Sequence, residues 1–160
     1  MVRHTFDESE DNPGMGYTVE EDLLKNKLSS SYDAESQTLL VTWEGAVTSH
    51  EVRQGYMQIK ELVLYYKPGK WLIDLHKRES IKRADQHWVI THFFPEALRL
   101  LKKDIFVAII LPLFSFPRLV DELNGDEFIQ GDNFMIINHF LYREEALRWL
   151  SNTNEFQAGA

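Results

Sequence analysis

Two short runs of nearly uninterrupted apolar residues constrain the fold of this chain more than any other feature. They are Trp71-Leu72-Ile73-Asp74-Leu75 and Ile105-Phe106-Val107-Ala108-Ile109-Ile110-Leu111. Successive side chains of a strand point to opposite faces, so a run apolar at both odd and even positions must be covered on both sides. Central strands of a parallel sheet, sandwiched between helices, meet that condition. The stretch between the runs, about Arg83 to Lys102, has helical character and the length of a crossover, so the two runs predict neighbouring parallel strands. Pro95 lies inside that stretch, lacks an amide donor and predicts a kink or a split near Phe94.

The flanking segments extend the pattern. Lys27 to Tyr32, the turn formers Asp33 to Ser36, and Thr38 to Trp43 predict a hairpin whose second strand Gly45 closes. Thr48 and Glu51 stand at capping-box spacing. Val52, Tyr56, Ile59, Val63 and Tyr66 then recur at helical intervals, predicting an amphipathic helix over 49–66 that Pro68-Gly69 ends. Gly55 within it sacrifices helix propensity, which implies a close approach of its backbone to the sheet. A short helix over Pro117 to Leu123, a strand over Phe134 to Phe140 and a helix over Arg143 to Leu150 complete the order β-β-α-β-α-β-α-β-α. The expected architecture is α/β: a mostly parallel five-stranded sheet with an antiparallel edge strand and flanking helices. It occupies residues 17–151 as one domain, between a disordered acidic leader (1–16) and a frayed tail (152–160).

Charge and composition exclude several classes of function. With 25 acidic against 17 basic side chains the chain carries a formal charge of -8, a field that repels phosphate backbones and argues against nucleic acid. The absence of Cys removes disulfides, thiolate metal sites and a cysteine nucleophile together, and suits a cytoplasmic setting. No apolar run approaches the ~20 residues of a membrane helix, and no signal peptide is recognisable, so no membrane association is expected. Gly14-Met15-Gly16 precedes no strand, so neither a P-loop nor a dinucleotide fingerprint is present and no cofactor is expected.

Three stretches carry a family resemblance: Leu39-Leu40-Val41-Thr42-Trp43-Glu44-Gly45 before the first helix, Trp71-Leu72-Ile73-Asp74-Leu75 in the middle, and the ending Phe140 to Leu150. With the element order, they make the chain resemble the SpoIIAA-like (STAS) superfamily of anti-sigma-factor antagonists and its SEC14-like relatives, over about residues 27 to 151. The resemblance implies a non-enzymatic regulatory or interaction domain that binds a protein partner. It implies, alternatively, a sensor or carrier of a small apolar ligand. Signalling members carry a phosphorylated Ser or Thr at the start of the helix after the middle strand, and Ser80 occupies that stretch. Here Ile81-Lys82-Arg83 follow it, where the family has small residues and glycine.

Candidate site residues gather at the carboxyl ends of the expected parallel strands, where ligands of open α/β sheets bind if strand order reverses. Thr48, His76, Ser80, Phe114 and Phe116 fall on that rim. Ser80 with Lys77, Arg78, Lys82 and Arg83 is a phosphorylation candidate, although a serine there also serves as a plain helix cap. Phe114 and Phe116 either line a pocket or partner patch, or pack under the helix that follows. Asp74, His76 and Ser80 are the residue types of a hydrolase triad, but no nucleophile elbow or glycine-built oxyanion hole accompanies them, so no catalytic residue is assigned. His87 and His92, with Asp85, lie off the i,i+4 spacing of helical metal ligands, and no metal site is assigned. A homodimer, formed for instance by edge pairing of the first strand, is the other expected partnership.

Overall fold

In the computed structural model, residues 18–22, 24–115 and 127–158 are described. The strands are β1 (Thr18–Asp22), β2 (Leu28–Asp33), β3 (Thr38–Gly45), β4 (Lys70–Arg78), β5 (Ile105–Ile110), β6 (Glu127–Gln130) and β7 (Asn133–Phe140). The α-helices are α1 (Ser49–Tyr66), α2 (Arg83–Trp88), α3 (Phe94–Leu101) and α4 (Arg143–Ala158). One mixed sheet has the order β1-β2-β3-β4-β5-β7-β6. The two apolar runs lie side by side and parallel, with Ile73 opposite Ile109. β3 and β7 flank them, also parallel, and β2 runs antiparallel to β3.

The two faces of the sheet bury different sets of residues. Leu39, Val41, Trp43, Trp71, Ile73, Leu75, Ile105, Val107 and Ile109 share one core with the buried stripe of α1 and with Phe93, Phe94 and Leu98. Leu72, Phe106, Ala108 and Ile110 point the other way and meet Ala146 and Leu150 of α4. This parity explains why β5 is buried at every position: each face has its own helical cover. Gly55 holds α1 close to the sheet, because a β-carbon there would run into the Trp43 ring and press on Leu28.

Several expectations need correction. The sheet has seven strands rather than five: β1 pairs outside β2, so the hairpin strand is not the edge, and β6 pairs antiparallel with β7 at the other end. The β6–β7 turn uses Gly131 at φ 62°, a conformation glycine adopts without strain. The division expected near Phe94 is present: α2 is followed by a π-helical turn, Val89–Phe93, in which the Phe94 amide bonds the Val89 carbonyl, and α3 starts at Phe94. The wider turn accommodates a proline that can neither donate nor pack against the preceding carbonyls. α4 continues to Ala158, past the Leu150 end expected and over residues read as tail. The acidic leader, Phe116 and the expected helix at 117–123 lie outside the described residues. Among the described residues no helix is long and apolar enough to cross a membrane.

Candidate functional site

Because β3, β4, β5 and β7 are parallel, the segments leaving their carboxyl ends share one rim. Thr48 is on it and is committed to structure. Its hydroxyl accepts the Glu51 amide at 3.1 Å, and the Glu51 carboxylate accepts the Thr48 amide at 3.0 Å. Lys27 Nζ donates to the same carboxylate at 3.0 Å. The Thr48 amide and the Lys27 ammonium hold the Glu51 carboxyl below its usual range. This is the capping box expected from the sequence.

The end of β4 differs from a regular strand. The register against β3 slips between Thr42 and Glu44, so Glu44 faces Lys77 and Gly45 faces Arg78. At the bulge Asp74 Oδ1 accepts the backbone amide of His76 at 2.9 Å, and Oδ2 accepts Arg143 Nη1 at 3.3 Å. The Asp74 carboxylate is therefore engaged by β4 itself and by α4, and its contact with His76 is to the main chain. His76 and Ser80 are exposed, and the geometry does not join the three side chains into a relay.

Sequence reasoning treated Arg78 only as a charged neighbour of Ser80. It is buried, at 5% exposure, and its Nη2 donates to the Ser80 carbonyl at 2.9 Å. Burial lowers the Arg78 pKa, and the Tyr56 and Asp85 charges oppose that shift. Tyr56 is itself pushed up by burial. Arg78 Nε, Asp85 Oδ2 and Trp43 Nε1 are buried without a hydrogen-bond partner among the described residues. The bulge is what turns Arg78 inward, and no periodic signal in the sequence announces a bulge. α2 begins at Arg83, with Lys82 as a cap residue that makes no side-chain bond. Ser80 thus stands outside the helix, its carbonyl anchored by Arg78 and its side chain in solvent; it is not the helix cap.

After β5, the Leu111 amide bonds the Phe140 carbonyl at 2.9 Å, tying the ends of β5 and β7 together. A single 3₁₀ turn, Leu113–Ser115, follows. Ser115 closes it by donating both its amide and its hydroxyl to the Pro112 carbonyl, and is itself buried. The closed turn forces the two preceding side chains outward: Leu113 is 75% exposed and Phe114 62%. Tyr142, leaving the neighbouring end of β7, is 63% exposed. Neither family models nor curated proteins compared with the chain give a match. The rim must therefore be read from its own chemistry.

Strand order corrects one expectation about that chemistry. From β3 to β5 the strands are laid down in chain order, and β7 continues in the same direction, so the parallel strands contain no reversal of order. The described strand order therefore gives no reversal at which such a crevice would open. What the rim presents is an outward-facing apolar group beside the charged β4 loop. His87 and His92 lie on the crossover helix. His92 stacks on Trp88 with ring centroids 6.1 Å apart, and its Nδ1 is 2.9 Å from Thr91 Oγ1. Among the described residues no three His, Asp or Glu side chains gather as metal ligands.

Proposed function

We propose that this domain is a regulatory interaction module that binds a protein partner through the rim at the carboxyl ends of β4, β5 and β7. The observation that carries the reading is the outward-held trio Leu113, Phe114 and Tyr142 on two adjacent strand ends. Large apolar side chains grouped in solvent mark contact surfaces, and aromatic residues supply much of the energy of such contacts. The resemblance to SpoIIAA-like proteins points the same way: an antiparallel hairpin followed by parallel strands added in chain order supports it. The exposure of Ser80 on a loop pinned by Arg78 supports it as the residue that modulates the same rim. A phosphate there would add roughly two negative charges beside Lys77 and Lys82. The alternative, a small apolar ligand held at the rim, draws less support from a sheet without a strand-order reversal.

A photo-crosslinking side chain at Phe114 of the full chain, irradiated in lysate of the expressing cells, tests the reading. A discrete protein adduct that disappears in a Leu113→Ser/Tyr142→Ser background is expected. Adducts unchanged by those substitutions, or only diffuse background, would remove the rim as the contact surface.

A further inference from the structure

A second feature lies at the opposite end of the sheet and does not depend on the rim. A cavity of about 380 Å³ is bounded by the β2–β3 turn, the start of β4, the α3–β5 connection and α4. Its volume falls within the roughly 300–1,000 Å³ range of small-molecule sites. Lys70, the first residue of β4, lines it and is only 9% exposed, yet its ammonium has no acceptor among the described residues. Its ammonium stands at the open cavity without a counter-charge among the described residues, and burial lowers its pKa.

Other donors face the same space. Lys103 gives one N–H to the Lys67 carbonyl at 2.9 Å and keeps two of its three donors. The Ser151 hydroxyl, on α4, makes no hydrogen bond among the described residues. Among the described residues Glu35, exposed on the β2–β3 turn, is the one acid of the lining, so the described lining is net positive in a chain of charge -8. Leu147 and Leu150 form an apolar side.

We propose that this cavity binds a small phosphate monoester, its phosphate on the Lys70 and Lys103 ammonium groups and its short aliphatic part against Leu147 and Leu150. Phosphate suits the lining better than carboxylate. The donors come from three separate elements, which suits the three oxygens of a phosphate, and among the described lining residues no arginine fork is present to match a planar carboxylate.

Isothermal titration of the full chain with n-butyl phosphate, beside inorganic phosphate and butanoate, tests this. Butyl phosphate binds more tightly than either comparison anion, and Lys70→Met weakens it by about tenfold or more. Ser151→Trp fills the cavity and abolishes binding, while circular dichroism shows each variant folded. Butyl phosphate also slows reductive methylation of Lys70, followed by mass spectrometry. No heat of binding at millimolar ligand, equal affinity for Lys70→Met, or unchanged methylation in the presence of butyl phosphate would each overturn the assignment.

Discussion

Acidification offers a direct probe of the interior through His139. This residue sits on β7 opposite Ile109, on the strand that closes the parallel run. Both ring nitrogens are buried without a hydrogen-bond partner among the described residues, and burial lowers the imidazole pKa to about 4 from 6.5. Between those two values the unfolded chain binds a proton that the folded chain refuses. Stability from this group is therefore complete above pH 6.5 and is lost as pH falls toward 4. A shift of this size corresponds to about 3 kcal/mol in full, of which about 1 kcal/mol is lost by pH 5.5 and about 2–3 kcal/mol by pH 4.5. Urea unfolding of the wild type and of His139→Gln at pH 7.5, 5.5 and 4.5 measures it. Carboxylates titrate in both proteins, so the pH dependence of their stability difference isolates the histidine. The two stabilities should converge on acidification by the amounts above. Parallel curves, or an NMR titration placing the His139 pKa near 6.5, would refute the argument from an unpartnered buried imidazole.

Other substitutions test the packing and the rim. Gly55→Ala forces a methyl group into the Trp43 ring, so thermal unfolding should show a loss of about 1–3 kcal/mol even though alanine is the better helix former. Thr48→Ala removes the hydroxyl half of the capping box and should cost about 1 kcal/mol, read as a fall of roughly 2–4 °C in Tm. Leu113→Ser and Phe114→Ser change exposed side chains and should leave the urea midpoint within about 0.5 kcal/mol of wild type. A large loss of stability there would mean that these residues are core, and the proposed contact surface would fail with it.

The parallel core was legible because its signal is local. Ile105 to Leu111 and Trp71 to Leu75 are apolar on both faces, and only strands covered twice tolerate that. The Thr48–Glu51 box and the Gly55 contact were also readable, since each rests on spacing or on one residue's steric needs. β1 and β6 were missed for the complementary reason. Thr18–Asp22 and Glu127–Gln130 are short, polar edge strands whose pairing comes from backbone ladders that any side chains permit. The rim divides in the same way. That Phe114 would follow a central strand was deducible from the chain. That it faces outward depends on Ser115 bonding back to Pro112, and that Arg78 faces inward depends on a bulge against β3. The cavity beside Lys70 joins residues from four separated stretches of chain, so only the assembled sheet and α4 bring its donors together. Local patterns of hydrophobicity determined which segments are strands and helices. Register, bulges and the meeting of distant loops are set by contacts between segments, and these decided where charge and exposed apolar surface come to rest.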